Sequence, residues 1–353
     1  MKKQRLVSLL LLIGMIASSL SLLSCQGQKQ KFVTHSLEYF DTATSITGYE
    51  STQEEFDRIS GEILDLLGEY HRLYTIYHRY EGMENLCTVN ELQDGVHRTV
   101  TVDQRIIDLL LYAKEMHGVT NGKLNVAMGS LLSIWHEYRT AGLDESRAAE
   151  LPPKELLTEA AKHTDINNLI IDPEARTVWL ADPAMTLDVG AIAKGYAVEM
   201  VARTLEEQGI SGYVINVGGN VRTLGTKPDG QTWLAGIENP NPDAPQSYAV
   251  YLALAGESVV TSGSYQRFYT VNGKNYHHII DEQTMMPAEG YLSVSVVCKN
   301  SAQGDALSTA LFCMSPEEGL ALVERLPDVE ALWIFTDESQ QVSSGFSHFV
   351  TRP

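Results

Sequence analysis

Between Thr52 and His78, Phe56, Ile59, Ile63, Leu66, Leu67, Tyr70, Leu73, Tyr74 and Tyr77 recur at helical spacing, with Glu54, Glu55, Arg58 and Glu62 on the other side. Such a helix draws most of its stability from packing, so the rest of the chain must supply an apolar surface to cover the stripe. A second helix is expected from Asp103 to Met116, capped by Asp103, closing at Gly118 and burying Ile106, Ile107, Leu110 and Leu111. A glycine-punctuated segment follows from Thr120 to Trp135, and Pro152 and Pro153 introduce a short helix. The runs Leu169 to Pro173 and Thr177 to Leu180 read as a hairpin.

The second half alternates. A strand is expected at Thr186–Val189, a helix at Ala191–Glu207 ending at Gly209, and a strand at Gly212–Val217 running into Gly218 and Gly219. Hairpin-like strands continue through Tyr276. A strand at Val294–Cys298, helices at Ala302–Met314 and Pro316–Leu326, and a strand at Ala331–Thr336 complete the chain, with no internal repeat. Strands joined both by helices and by hairpins predict an α+β protein, a two-lobed architecture of mixed sheet and helix with a cofactor cleft between the lobes.

Over 353 residues, a hydrophobic content of 44% supports a sizeable core. Lys and Arg number 26 against 45 Asp and Glu, a net charge of −19, and no basic run follows residue 5. A nucleic-acid partner is not expected, because phosphate neutralisation needs clustered cations.

At the amino terminus Lys2, Lys3 and Arg5 precede an apolar stretch densest from Leu9 to Ala17, then Ser18, Ser19 and Ser21, the layout of a secretory signal. Leu22-Leu23-Ser24-Cys25 resembles the bacterial lipobox, which is cleaved before the cysteine that receives the lipid. The competing reading is a single spanning anchor, since Leu6 to Leu23 approaches the roughly 20 residues that cross a bilayer. Either arrangement tethers the globular part outside the cytoplasm. The expected organisation is a signal peptide over 1–24, lipidated Cys25 with a flexible spacer to residue 36, and a single catalytic unit over 37–350. Cys87, Cys298 and Cys313 have no paired short spacing, so neither a disulfide framework nor a zinc site is signalled.

Four segments carry chemistry. Thr186 to Ala197 places Asp188 and Lys194 across a strand-to-helix junction, where free amides and an ammonium suit a phosphate; capping by Asp188 and a solvated Lys194 explain it equally. In Ile215-Asn216-Val217-Gly218-Gly219-Asn220, the paired glycines allow either close approach of a ligand or a tight turn. Thr261 to Phe268 is followed by Tyr276-His277-His278-Ile279-Ile280-Asp281, where adjacent histidines on a strand point to opposite faces. Finally, Asp305 and Thr309 share one helical face, and two oxygen ligands so spaced suit a hard cation such as Mg²⁺.

In this order, Leu187 to Ala197, Ile215 to Asn220, Thr261 to Phe268, His278 to Asp281 and Asp305 to Leu311 resemble the ApbE family of bacterial FAD:protein FMN transferases, with weaker matches at Phe40-Asp41-Thr42 and Thr88-Val89-Asn90. The resemblance runs from about Tyr39 to Phe346 and implies transfer of FMN from FAD to a threonine of an acceptor protein. It implies Mg²⁺, with Mn²⁺ as the alternative, held by the Asp305 carboxylate, the Thr309 hydroxyl and the Ala191 carbonyl. It also implies FAD contacts at Phe40, Asn125 in the Gly122 to Asn125 turn, Asp188, Lys194 and Ile279, with His278 or its neighbour His277 as the catalytic histidine. The acceptor it implies is an exported or membrane-bound redox protein of the RnfG, RnfD or NqrC kind, reached by an enzyme held at the membrane through the Cys25 lipid.

The sequence departs from the family pattern in three places. Leu124-Asn125-Val126-Ala127 stands where Phe-Asp-Pro-Thr is common, Asp281-Glu282-Gln283-Thr284-Met285 where Asp-Pro-x-Thr-Gly is usual, and Asn220 where an acid follows the paired glycines. Two other functions remain open: an FAD pyrophosphatase yielding FMN and AMP, and a non-catalytic FAD-binding lipoprotein.

Overall fold

The computed structural model describes residues 29–144 and 148–352. The leader and Cys25 lie outside them; among the described residues no helix is long and apolar enough to cross a membrane.

Eight strands form one antiparallel sheet whose spatial order follows the chain: β1 (Gln30–Ser36), β2 (Thr44–Glu50), β3 (Tyr213–Val217), β4 (Asn220–Leu224), β5 (Ser258–Gly263), β6 (Tyr291–Cys298), β7 (Val329–Phe335) and β8 (Gln340–Val342). Among the described residues the helices of eight or more residues are α1 (Gln53–Tyr74), α2 (Gln104–Val119), α3 (Gly129–Gly142), α4 (Ala193–Glu207), α5 (Ser301–Phe312) and α6 (Pro316–Val323). Helices α1, α4 and α5 pack on one sheet face. Strand alternation supplies that face: Ile46 pairs with Ile215 in register, both fully buried, and Phe56 of α1 stacks on Tyr213 with ring centroids 6.1 Å apart.

The other face carries Val259, Val297, Leu332 and Ile334, covered by Ile237, Leu252, Leu254 and Phe346. Most of that cover comes from a three-stranded sheet of Trp233–Glu238, Tyr248–Leu254 and Val350–Thr351. A separate small core joins Leu131 and Trp135 of α3 to Leu157, Tyr269, Val271 and Ile280, and forms the second lobe.

The expected α+β class holds, with adjustments. Strand β1 occupies Gln30–Ser36, paired residue for residue with β2, so regular structure reaches into the span expected to be a flexible spacer. Helix α1 stops at Tyr74, not His78: Thr75 is extended and its N–H closes the last turn on His71 O, which leaves Tyr77 outside the stripe at 57% exposure. Helix α2 runs on to Val119. Helix α3 starts inside the segment read only as glycine-punctuated and runs on past Trp135 to Gly142, because a glycine at each end and a single buried Leu131–Trp135 edge give a weak periodic signal. Thr186–Val189 is not a sheet strand; it pairs with the segment that leads into α3, through Gly129 N–H to Thr186 O (3.0 Å) and Asp188 N–H to Val126 O (2.9 Å).

Candidate active site

Helices α4 and α5 meet at a contact that only glycine permits. A Cβ on Gly195 would lie 2.4 Å from both Asp305 Cβ and Ser301 O. The close approach lets the Gly195 N–H donate to Asp305 Oδ2 at 2.8 Å. Gly195 is the third residue of α4, where a helix offers its N–H no acceptor, so Asp305 satisfies one of the open amides of the helix start, and the Ala191 carbonyl lies just ahead of the helix cap at Ile192. Asp305 is 4% exposed, and beyond this bond only the Lys194 ammonium approaches its other oxygen, at 3.9 Å, among the described residues. Burial pushes the Asp305 carboxyl up, while Lys194 and the Gly195 amide oppose that shift.

One turn later on α5, Thr309 Oγ1 lies 3.3 Å from Ser262 Oγ, which also contacts Ser308 Oγ at 2.9 Å. The Asp305 carboxylate, Thr309 hydroxyl and Ala191 carbonyl are all hard oxygen donors, which fits Mg²⁺ or Mn²⁺. Among the described residues no cluster of three or more His, Cys, Asp or Glu forms a softer or richer metal site.

Lys194 reaches back to Gly190 O at 3.2 Å, and Asp188 Oδ1 accepts the Gly190 N–H at 2.8 Å. The turn before α4 is thus held by the two residues singled out for phosphate binding. Gly218 and Gly219 resolve differently. They have φ 57° and 87° and form the two-residue loop closing Val217 on Asn220, and a Cβ on Gly218 would collide with Thr42 Oγ1 at 2.4 Å. The hairpin turn is the reason for this glycine pair.

The two histidines separate by their hydrogen bonds. His277 Nδ1 accepts the Ile279 N–H at 3.2 Å, so its Nε2 carries the proton donated to Ala288 O at 2.8 Å, and its ring packs edge-on against Phe312. Both nitrogens of His277 are spent on structure. His278 contacts only Arg267 O through Nδ1, at 3.3 Å, among the described residues. Burial lowers its pKa to about 3, aided by Arg267, His277, Lys194 and Arg139. It is therefore neutral at physiological pH. In a chain of net charge −19, three cationic side chains gathered around one histidine prepare a place for an anion.

Phe40 and Asp41 sit in the left-handed region with φ 57° and 50°, a strained turn held by Phe40 N–H to His71 Nδ1 (3.2 Å) and Arg267 Nη2 to Asp41 O (3.0 Å). Phe40 remains partly exposed against His71. Ile279 differs from a free contact residue: its side chain is buried in the main core, its N–H goes to His277 and its carbonyl accepts the Ala288 N–H. Asn125 likewise points inward, donating to Thr164 O at 2.9 Å and Glu282 Oε2 at 3.0 Å. The pattern reading missed Gly195, Ser262 and the roles of Arg139 and Arg267, since none stands at a spacing that by itself signals chemistry.

A buried carboxylate bonded to a helix start, with a neutral histidine set among cationic side chains, is an arrangement suited to a phosphate-bearing ligand. The sequence profile of the ApbE family matches residues 40–333, and the chain belongs to that family. It is 33% identical over 282 residues to the FAD:protein FMN transferase of Klebsiella pneumoniae (strain 342), covering 77% of this chain and 84% of that protein. It is 29% identical over 349 residues to that of Vibrio cholerae, covering 96% and 98%. Among solved structures, the ApbE protein of Thermotoga maritima superposes with a TM-score of 0.78 at 26% identity, over 92% of this chain and all of that one. The flavin transferase ApbE of Vibrio cholerae gives 0.75 at 27%, over 91% and 99%.

Proposed function

We propose that this chain is an FAD:protein FMN transferase that joins FMN to a threonine hydroxyl of an exported or membrane-bound redox protein and releases AMP. Membership of the ApbE family supports it, and so does the name its curated relatives share. The observation that carries the reading is the junction of α4 and α5, where Gly195 lets the buried Asp305 bond the start of α4 with the Lys194 ammonium 3.9 Å from its other oxygen.

The threonine oxygen bonds to the FMN phosphorus, the pyrophosphate P–O bond breaks, and AMP leaves carrying the bridging oxygen. Lys194 and Arg267 bind the diphosphate and hold it in line for attack. His278, neutral and with Nε2 uncommitted, takes the threonine proton. A diphosphate seated against Lys194 and Arg267 offsets the charges that depress His278 and makes it a stronger base when substrate is bound. Asp305, Thr309 and the Ala191 carbonyl would hold Mg²⁺ or Mn²⁺, which supplies charge neutralisation on the phosphate oxygens when bound. The amino-terminal leader and Cys25 support an extracytoplasmic, lipid-anchored location, with residues 37–350 as the catalytic unit.

Incubation with FAD, Mg²⁺ and a candidate acceptor tests the reading. Flavin fluorescence on the acceptor in a denaturing gel is expected; free FMN and AMP, or unchanged FAD, would replace it with a pyrophosphatase or a binding protein.

A further inference from the structure

Two of the three departures of this chain from its family's pattern, at 124–127 and 281–285, meet in space. The short hairpin after His278 pairs Ile280 with Pro287 and Asp281 with Met286, and its base is tied by Ala288 N–H to Ile279 O at 2.9 Å. Two of its acidic side chains are anchored to other segments. Lys123 Nζ reaches Asp281 Oδ2 at 2.6 Å, a pair whose side chains are only 18% and 10% exposed. Glu282 accepts from Asn125 Nδ2 at 3.0 Å and from Thr164 Oγ1 at 2.6 Å, while the same Asn125 amide donates to Thr164 O at 2.9 Å. Asn125 Oδ1 takes the Ala127 N–H at 2.9 Å, so every polar atom of this side chain is engaged.

A carboxylate at position 125 would face the Glu282 carboxylate and the Thr164 carbonyl with no hydrogen to offer either. Amide at 125 and acid at 282 are therefore one feature, not two. The tip also carries Met285 at φ 59°, a conformation glycine adopts without strain, held by Trp135 Nε1 donating to Met285 O at 3.0 Å. So constrained a tip transmits its position along a hairpin of two paired rungs to its base, where Ile279 and His278 lie.

We propose that Lys123–Asp281 and Asn125–Glu282 form a two-point clasp that positions His278 in the cleft, with Asn125 acting as a positioning residue through Glu282. The proposal rests on the transferase reading for its catalytic consequence but not for its structural one.

Two readouts test it: hydrogen exchange of the amides of residues 279–288, and transfer rate at saturating FAD. Asn125→Asp is expected to raise exchange in that hairpin and to lower the saturated rate at least tenfold, with the KM for FAD changed less than threefold. Adding Glu282→Gln, whose amide can donate to the carboxylate introduced at position 125 while the Thr164 carbonyl still faces it, is expected to recover both readouts in part, by at least threefold over the single variant. An Asn125→Asp protein with unchanged exchange and rate overturns the clasp. So does a double variant no better than the single one, since residue 125 would then act on the flavin directly. Should Asn125→Asp not fold, Glu282→Ala replaces it; faster hairpin exchange supports the clasp and wild-type exchange overturns it. A wild-type protein that transfers no FMN sinks the transferase reading alone, because the exchange arm still reports on the clasp.

Discussion

Adding one methyl group at Gly195 probes the junction on which the site depends. Carbon atoms prefer separations of about 3.5–4.0 Å, so the 2.4 Å approach of a new Cβ to Asp305 Cβ and Ser301 O is short by about 1 Å on two sides. One of those neighbours is backbone and cannot rotate away. Helices α4 and α5 must separate by a comparable distance, stretching the Gly195 N–H to Asp305 bond from 2.8 Å beyond hydrogen-bond range. Overpacking of this kind costs ~1–3 kcal/mol, and an amide bond to a charged acceptor contributes ~1.5–3 kcal/mol. Gly195→Ala should therefore lose about 3 kcal/mol of stability, against a helix-propensity gain of under about 1 kcal/mol. The same protein contains its control: Gly61 in α1 has nothing within 4 Å of an added Cβ, so Gly61→Ala should be neutral or stabilising by up to about 1 kcal/mol. Urea unfolding of both variants measures the difference, and a Mg²⁺ titration of transfer measures the effect of displacing Asp305 from the start of α4. A Gly195→Ala protein within about 1 kcal/mol of wild type, with an unchanged Mg²⁺ response, would refute the junction argument.

Asp305→Ala should abolish metal-dependent transfer at every Mg²⁺ or Mn²⁺ concentration tried; wild-type turnover with Mg²⁺ would remove Asp305 from the ligand set. His278→Ala should bind FAD normally, by flavin fluorescence, yet transfer ~10²–10⁴-fold more slowly, whereas His277→Ala should lower the melting temperature as well, because both its ring nitrogens and its face on Phe312 are structural. Acid should weaken the fold early. Burial lowers the pKa of His71, His97, His136, His277 and His278 alike, so between their unfolded pKa near 6.5 and their lower folded values the unfolded chain binds more protons. Stability gained from these neutral histidines is complete above about pH 6.5 and is lost as pH falls below it. Urea midpoints should drop from pH 7 to pH 5, and His278→Gln should flatten that slope; an unchanged slope would mean His278 titrates normally.

Much of this protein is legible along the chain. Helical periodicity predicts α1 and α4 to within a few residues, because each buries a face and so must repeat apolar residues at its own period, whereas α5, buried on nearly every side, is marked by its continuous small and apolar run. The spacing of Asp305 and Thr309 on one helical face follows from helix geometry alone, and the mixture of hairpins and helices suffices for the α+β class. What tertiary structure decided is which of these residues meet. Gly195 carries no signal until α5 arrives within 2.4 Å of where its Cβ would stand, and the open amide at the start of α4 finds its acceptor only in Asp305, far along the chain. The sequence leaves His277 and His278 equivalent; they part company through bonds to Ala288 and Arg267 that depend on how the hairpin closes. Asn125 and Glu282 look like two unrelated departures until the fold sets them 3.0 Å apart. Local periodicity is written by burial of one face and survives in sequence, whereas a site assembled from backbone groups and long-range partners has no period to leave behind.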